Sequence, residues 1–328
     1  MKALIIGGAR SGMGVARLLH SKGYQVTLTT NQDFAERHEL ETLGIKVSLN
    51  DKDMGLVDTY DFVVKNPGIP NDHPLVSQFN NVVNEIEVAS LFSSNYNYYA
   101  ISGTNGKTTT ATLLWEMLQK KNDNALLAGN VGYALSEAVY KDGNIARDVS
   151  LEISAFQMEG SPTFSPDVYG LINLSPDHLD RYESEQDYYA AKLKILDRVK
   201  IFVRNVEDKN ILALTQNYTG RVIDVSLHDE SKNVFIKDGA VYFNTVKLFS
   251  LAEFKLVGEH NILNASIAAV MAFLAGVELE DIQTTIHNFK GVEHRIEFVR
   301  EIQGVRYYND SKATNPESTE VALKSFEK

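Results

Sequence analysis

The sequence contains no cysteine. Without a thiol the chain forms no disulfide, offers no cysteine nucleophile and provides no cysteine-bound zinc site. Basic residues are also scarce, since 43 acidic side chains outnumber 32 basic ones and the formal net charge is −11. No basic block interrupts this acidic background, so we do not expect nucleic acid as a partner.

Long apolar runs are missing as well. No stretch is apolar enough to cross a bilayer, and the short run in MKALIIGG is followed at once by glycines, which is typical of a strand rather than a signal peptide. We therefore expect a cytoplasmic protein without membrane contact, acting as a monomer. The 328 residues, 44% of them apolar, predict about two globular domains.

The most informative stretch runs from Tyr98 to Leu118. It predicts a short strand, a glycine turn with the sequence GTNGKTT, and a helix that opens near Lys107. Glycines allow the turn to close on an anion, and the helix start offers free N–H groups to a phosphate. Lys107 is then expected to reach the terminal phosphates and Thr108 to bind magnesium. The turn is shorter than the usual phosphate-binding loop, because Ile101 occupies the place of its first glycine, but the strand and helix around it favour a nucleotide site over a plain turn.

Residues 1 to about 93 alternate between strand and helix patterns, which predicts a parallel sheet covered on both faces. The glycines at 7, 8, 12 and 14 match the dinucleotide pattern poorly, and Thr30 and Asn31 stand where an acidic residue would hold a ribose. An NAD site is thus disfavoured, while a nucleotide at the carboxyl ends of the strands and a structural turn both stay open. We predict an α/β protein with a Rossmann-like domain at 1–93, a P-loop mononucleotide-binding domain at 94–300, and at 301–328 the end of that domain and the start of another.

Three further residues stand out by their surroundings. Glu152 ends an apolar strand, where a carboxylate is costly unless it is paired; a salt-bridged core residue is possible, but its place after the phosphate loop favours a magnesium ligand. His178 lies in SPDHLDRY, and a ligand role and a structural role are evenly balanced. Lys192 lies on a helix predicted from Ser184 to Val199, where a snorkelling side chain is the more common explanation.

Two asparagines share one face of the apolar helix predicted from Gly258 to Val277. Asn261 and Asn264 are three residues apart near its start. They could cap the helix, or they could together bind a purine or a ribose.

Taken together, these motifs resemble the ATP-dependent Mur ligases of peptidoglycan synthesis. The motifs occur in the family's order along the whole chain: GTNGKTT at 103–109, GNVG at 129–132, LEISAFQME at 151–159, DHLDRY at 177–182, AAKLKI at 190–195, GEHNILNA at 258–265, EHR at 293–295 and YNDSKATNP at 308–316. Each motif alone is unspecific, but jointly they are highly specific.

The resemblance implies a reaction and its participants. It is nearest to the members that join D-glutamate to UDP-N-acetylmuramoyl-L-alanine through an acyl phosphate, using ATP and two Mg²⁺ ions. The implied catalytic residues are Lys107, His178, Lys192 and Lys312. The implied nucleotide-binding residues are Gly103, Thr104, Asn105, Gly106, Lys107, Thr108, Thr109, Asn261, Asn264, Arg295 and Asp310.

The remaining implied residues serve the metal ions and the substrates. The metal-binding residues are Thr108, Glu152, His178 and Lys192, the last of them carbamylated so that it becomes an anion. The residues facing the UDP precursor or the amino acid are Ser11, Thr30, Asn31, Gly68, Gly129, Asn130, Gln157 and Thr314.

The resemblance departs from the family at its end. The resemblance implies three domains, as in other Mur ligases, but the sequence ends at Lys328, where the last domain should begin. We therefore expect a truncated form that binds the UDP substrate, binds ATP weakly and turns over poorly. Two alternatives stay open: another Mur ligase or a folylpolyglutamate synthase, and a non-catalytic nucleotide-binding module. Glu152, His178 and Lys192 argue against the latter, because a nucleotide switch needs no second metal.

Overall fold

The computed structural model describes residues 1–314 and 316–326. Its contacts divide the chain into two compact units. The first unit comprises Met1–Tyr96, Ala128–Ala146 and Ile153–Phe164, and the second comprises Asn97–Leu127, Arg147–Glu152 and Ser165–Lys328. A compact unit is not the same as an independently folding domain, so the boundaries after residues 93 and 300 stay a prediction.

The first unit is built on a sheet of five parallel strands in the order β3-β2-β1-β4-β5. The strands are β1 (Lys2–Ile6), β2 (Gln25–Thr29), β3 (Lys46–Ser48), β4 (Phe62–Lys65) and β5 (Val82–Val83). The helices that connect or follow them are α1 (Arg10–Ser21), α2 (Arg37–Thr42) and α3 (Glu85–Leu91). This order confirms the predicted Rossmann-like sheet.

Strand β1 shows why this sheet is covered on both faces. Ala3 and Ile5 belong to one apolar cluster, whereas Leu4 and Ile6 belong to another. Successive side chains of a strand point to opposite faces, so one strand contributes to both clusters. The run is therefore continuously apolar rather than alternating.

The second sheet has nine strands in the order β14-β13-β12-β11-β10-β9-β6-β8-β7. Its strands are β6 (Tyr96–Ser102), β7 (Leu126–Gly129), β8 (Arg147–Glu152), β9 (Val168–Leu171), β10 (Ile201–Asn205), β11 (Val222–Val225), β12 (Val234–Lys237), β13 (Ala240–Phe243) and β14 (Val246–Ser250). The order places β6 between β9 and β8, as expected for a phosphate loop in the middle of a sheet. The α/β fold class is thus confirmed in both parts.

The remaining elements follow in chain order. The helices are α4 (Lys107–Lys121), α5 (Leu135–Asp142), α6 (Ala155–Glu159), α7 (Glu185–Leu193), α8 (Lys209–Thr215), α9 (Glu259–Leu274), α10 (Leu279–Asn288) and α11 (Pro316–Lys324). An antiparallel pair, β15 (Glu297–Ile302) with β16 (Val305–Asn309), precedes α11. Eleven of the sixteen residues of helix α9 are buried, and the helix forms the main apolar cluster together with α4 and the sheet.

Two predicted helices are longer than the observed ones. The helix predicted over Ser184–Val199 ends at Leu193, and a separate 3-10 turn at Leu196–Arg198 buries Leu196. The pattern from Phe34 to Leu43 also predicts a helix, but the observed α2 covers only Arg37–Thr42. Within the described residues, no helix is both long and apolar enough to span a membrane.

Candidate active site

The turn after β6 has the backbone of a phosphate-binding loop. Gly103 and Gly106 have φ angles of 155° and 83°, which side chains other than glycine rarely adopt. A Cβ atom at Gly106 would lie 2.6 Å from Asn264 Oδ1. The second glycine is therefore required twice, by its backbone angle and by the close approach of α9.

Asn173, which follows β9, fixes the first half of the loop. Its Oδ1 accepts hydrogen bonds from Thr104 N at 2.9 Å and Asn105 N at 2.8 Å, and its Nδ2 donates to Asn105 O at 3.1 Å. Two loop amides are thus already used. The amides that an α-helix leaves without partners in its first turn, here from Lys107 onward, are the ones available to an anion.

Lys107 folds back over its own loop. Its Nζ donates to Gly103 O at 2.9 Å and to Thr104 O at 2.7 Å. Burial lowers the pKa of this ammonium group, although the carboxylate of Glu152 acts in the opposite direction. A phosphate in the loop would offer this cation stronger, charged acceptors than the two carbonyl oxygens.

Lys192, on α7, reaches the same carbonyl oxygen. Its Nζ donates to Gly103 O at 2.9 Å and lies 4.6 Å from the centre of the Tyr188 ring. The side chain is 1% exposed. Burial, and then the nearby Lys107 ammonium, hold the pKa of Lys192 well below its usual range. Two cations on one carbonyl repel each other, so Lys192 favours its neutral amine form.

Thr108 and Glu152 form a buried pair beside the two lysines. Thr108 Oγ1 donates to Glu152 Oε2 at 2.8 Å, and Arg295 Nη2 donates to Thr108 Oγ1 at 3.2 Å. Hydroxyl and carboxylate oxygens are ligands that Mg²⁺ takes in proteins. The pair thus fits the metal position that the sequence predicted for both residues.

His178 is near Lys192 through a shared neighbour, because the Tyr188 ring contacts both side chains. The His178 and Tyr188 rings are 5.8 Å apart and the His178 side chain is 46% exposed. Its φ of 54° is unusual for a residue other than glycine. Its backbone N–H donates to Asp177 Oδ1 at 2.9 Å, an interaction that stabilises the turn.

A cavity of about 300 Å³ opens beside the loop. It brings together eight residues that the sequence assigned to the nucleotide or to catalysis: Asn105, Gly106, Thr109, Asn261, Asn264, Arg295, Asp310 and Lys312. Three further polar residues line it that the sequence did not single out: Asn173, Ser175 and His260. Burial lowers the pKa of His260, and Asp310 opposes that effect.

Four residues predicted to face the UDP group lie at the carboxyl ends of strands in the first unit. Ser11 lies in the first turn of α1 after β1, Thr30 and Asn31 follow β2, and Gly68 follows β4. Ser11 Oγ accepts from Asn66 Nδ2 at 3.0 Å, and Asn66 Oδ1 accepts from Gly68 N at 3.1 Å. Open parallel sheets bind ligands at this edge.

The other predicted substrate residues fall into two groups. Gly129, Asn130 and Gln157 belong to the first unit, and Gln157 Oε1 accepts from Ser154 N and Oγ, both at 3.0 Å. Lys312 and Thr314 belong to the second unit, where both are exposed and Lys312 lines the cavity.

No group of three or more histidine, aspartate or glutamate side chains that could hold a metal occurs within residues 1–314 and 316–326. A site that combines Glu152 with a threonine hydroxyl and a modified lysine does not need such a group. The two-metal site therefore stays a prediction.

Known proteins resemble this chain in sequence and in fold. The Mur ligase middle domain family matches residues 101–272. The UDP-N-acetylmuramoylalanine–D-glutamate ligase of Geotalea daltonii is 38% identical over 342 residues, covering 100% of this chain and 75% of the relative. The ligase of the same name from Lactococcus lactis is 36% identical over 337 residues, covering 99% and 74%.

Solved structures agree at the level of the fold. The UDP-N-acetylmuramate-alanine ligase MurC from Thermotoga maritima superposes with a TM-score of 0.60 at 21% identity, covering 99% of this chain and 77% of the other. Such low identity speaks for a shared fold only. The family match over residues 101–272 and the 38% identity over the whole of this chain together establish that the chain belongs to the Mur ligase family.

Proposed function

We propose that this chain carries the donor and ATP sites of a ligase that adds D-glutamate to UDP-N-acetylmuramoyl-L-alanine, in the synthesis of peptidoglycan precursors. Mur ligases are ATP-dependent and use Mg²⁺. The names of the relatives, which are 35–38% identical to this chain, support this substrate pair. ATP would first phosphorylate the substrate carboxylate, and the amine of D-glutamate would then displace phosphate and form the amide.

One observation carries the proposal. The Nζ atoms of Lys107 and Lys192 converge on Gly103 O, at 2.9 Å each, beside the buried pair of Thr108 and Glu152. Transfer of a phosphoryl group to a carboxylate brings negative charges together, and they must be balanced in a site that excludes water. A loop with one cation aimed into it, next to magnesium-type ligands, supplies that balance.

The loop and the cavity next to it would bind different parts of ATP. The first-turn amides of α4 and Lys107 would bind the β- and γ-phosphates. Asn261, Asn264 and Asp310, which line the cavity next to the loop, would hold the nucleoside, and Arg295 would lie on the phosphate side because it contacts Thr108. Thr109 and Asn105 also line this cavity.

The residues present fit a magnesium ion. Thr108 and Glu152 would hold one ion, and Glu152, His178 and a modified Lys192 would hold a second. Bound Mg²⁺ would neutralise the phosphates and orient the acceptor carboxylate. What the chain itself contributes is a buried carboxylate beside a hydroxyl group, since Glu152 is 1% and Thr108 9% exposed.

Lys192 is proposed to be carbamylated. Its neutral amine would attack the carbon of CO₂, form an N–C bond and lose one proton to solvent, which yields an anionic carbamate. Only the neutral amine is nucleophilic, and burial next to Lys107 favours that form. The carbamate would also place a negative charge beside the Lys107 ammonium group.

The acceptor amino acid is proposed to lie near Lys312 and Thr314. Both are exposed, and Lys312 lines the nucleotide cavity. An ammonium group there would bind a carboxylate of D-glutamate and leave its amine to the acyl phosphate.

A donor panel tests the function by isothermal titration calorimetry, with Mg²⁺ and a non-hydrolysable ATP analogue present. The ligands are UDP-N-acetylmuramate, its L-alanyl form, its L-alanyl-D-glutamyl form and a reduced folate. We expect the L-alanyl form to bind at least about tenfold more tightly than the others, a difference of about 1.4 kcal/mol.

The panel separates the members of the family, because each acts on a precursor of different peptide length. Preference for another precursor would assign the chain to a different Mur ligase, and preference for the folate would make it a folate-type ligase. Failure to bind any of the four would contradict the ligase function altogether.

A further inference from the structure

The first turn of α3 contacts both segments that carry the donor-facing residues Gly129, Asn130 and Gln157. Asn84, its N-cap residue, is 2% exposed and donates through Nδ2 to Gln157 O. Its Oδ1 accepts from Ser161 Oγ at 2.9 Å, and its backbone N–H donates to Gly160 O at 2.8 Å. The Asn84 side chain therefore contacts the segment 154–161 at two places, Gln157 and Ser161.

Glu87, three residues later, holds the same segment further along. Its carboxylate accepts hydrogen bonds from Thr163 N at 3.1 Å, from Thr163 Oγ1 and from Phe164 N at 3.0 Å. The residue is 3% exposed. A buried carboxylate is costly, and these three donors offset the cost only while residues 163 and 164 keep their positions.

Glu85 contacts the other segment. Helix α5 has no side-chain cap at Ala134, and the Glu85 carboxylate accepts from Ser136 N in its first turn. On the same segment, Arg10 Nη1 donates to Gly132 O at 2.7 Å, directly after the donor-facing Gly129 and Asn130. A carboxylate at a helix start also interacts favourably with the helix dipole.

We propose that Asn84, Glu85 and Glu87 are positioning residues for the UDP precursor, because the first turn of α3 fixes the two segments that present Gly129, Asn130 and Gln157 to it. The inference rests on the proposed function in one respect, namely that these three residues face the donor. It adds a residue set to which the sequence motifs gave no role.

A purely structural role does not need this arrangement. An N-cap side chain satisfies one of the free N–H groups of a helix start, and Asn84 Oδ1 does this for Glu87 N at 3.2 Å. Two carboxylates and an amide are buried within four residues at the start of a helix of only seven. Burying these polar groups costs free energy that the helix start alone does not require. The hydrogen-bond partners of these three side chains lie mainly in the segments 134–136 and 157–164. The three side chains therefore act mainly on the positions of those segments.

The test uses Asn84→Ser. Serine is an equally good N-cap but is too short to reach Gln157 O, so the cap is kept and the positioning contact is lost. We expect the dissociation constant for UDP-N-acetylmuramoyl-L-alanine to rise about tenfold, while that for an ATP analogue changes less than about twofold. Without any ligand, amide hydrogen exchange in residues 154–161 should become faster.

The control is Val88→Ala, on the same helix. Val88 is fully buried in the apolar cluster that packs on α3, so this change destabilises the helix without removing a side-chain hydrogen bond to either segment. We expect a lower melting temperature with less than about a twofold change in donor affinity. Ser161→Ala approaches the Asn84 contact from the other side and should weaken donor binding in the same direction.

Three results would overturn the inference. Asn84→Ser and Ser161→Ala could leave donor affinity unchanged, Val88→Ala could weaken it equally, or ATP-analogue affinity could fall in parallel. Failure of the proposed function looks different, because the unmodified protein would then bind no UDP precursor at all.

Discussion

At the scale of single residues, the candidate site depends on two lysines that share one acceptor but differ in their surroundings. Lys107 begins α4 and can turn from Gly103 O and Thr104 O toward a bound phosphate. Lys192 is held by Gly103 O and the Tyr188 ring, and its pKa is lowered further. Burial therefore favours the neutral amine more strongly at Lys192 than at Lys107.

Replacing Lys107 by methionine should weaken ATP-analogue binding by about 100-fold, the effect of losing one charge-assisted contact. Methionine keeps the volume and removes the charge. The affinity for the UDP precursor should stay within about twofold. Calorimetric titration of both ligands is the measurement. Lys120→Met is the matched control, because Lys120 is an exposed lysine near the end of the same helix. Equal losses in the two variants would contradict the role of Lys107.

Replacing Lys192 by methionine should raise the free energy of unfolding at neutral pH. The pKa of Lys192 lies below its unfolded value of 10.5 because the folded state buries the ammonium group. Between those two values the unfolded chain binds a proton that the folded chain lacks, so the unmodified protein gains stability as pH rises toward 10.5. Methionine removes this term, and its advantage should shrink over the same range.

Urea unfolding between pH 7 and pH 10, in buffers free of CO₂ so that no carbamate forms, measures that trend. Lys194→Met, an exposed neighbour, should show no such dependence on pH. An advantage of Lys192→Met that stays constant with pH would show that the lysine is protonated in the folded protein throughout.

Sequence motifs and structure identify different residues of the loop. GTNGKTT predicted Lys107 and Thr108, because helix starts, glycines and a lysine form a pattern over a few neighbouring positions. Asn173 carries no such pattern, although its side chain binds two loop amides from 68 and 69 residues away. A single asparagine after an apolar strand could be assigned only once the pairing of β9 with β6 was known.

At the scale of secondary-structure elements, the start of α4 depends on Gly106. Gly106→Ala should destabilise the second unit by about 1–2 kcal/mol through its positive φ, with an added cost from the contact to Asn264 Oδ1. ATP-analogue affinity should fall as well, because either α4 or Asn264 must move. Chemical unfolding and titration of the same variant measure both effects.

Gly276→Ala is the control for the backbone term alone. Gly276 has the same φ of 83°, and a Cβ there would meet nothing within 4 Å. It should therefore lose stability through strain but keep its affinity for the nucleotide. If Gly106→Ala lost no more stability or affinity than this control, the close approach of α9 would not matter for the loop.

The elements that patterns missed were short or irregular. Helices α5 and α8 and strand β14 were not predicted, and none of them is longer than eight residues. Over Ile195 and Leu196 the apolar pattern continues beyond the end of α7, but a 3-10 turn buries Leu196 instead. Helical periods of 3 and 3.6 cannot be separated over so few residues.

At the scale of the whole molecule, the predicted substrates divide between the two compact units. The residues proposed for the UDP precursor belong to the first unit: Ser11, Thr30, Asn31, Gly68, Gly129, Asn130 and Gln157. The residues proposed for ATP belong to the second. The chain order conceals this division, because 128–146 and 153–164 group with the N-terminal sheet although P-loop segments flank them.

This division predicts the pattern of protection by each ligand in hydrogen exchange with mass-spectrometric readout. The UDP precursor alone should slow exchange in peptides that contain residues 7–12, 66–68, 129–132 and 154–161. An ATP analogue with Mg²⁺ should instead slow exchange in 103–109 and 258–265, because it binds amides of the loop and the start of α9.

UDP serves as the control for the UDP precursor, since it should protect 7–12 and 66–68 but not 154–161. Protection of both units by either ligand alone would contradict the assignment of one ligand to each unit. Protection of 154–161 by the ATP analogue would place Gln157 at the nucleotide rather than at the donor.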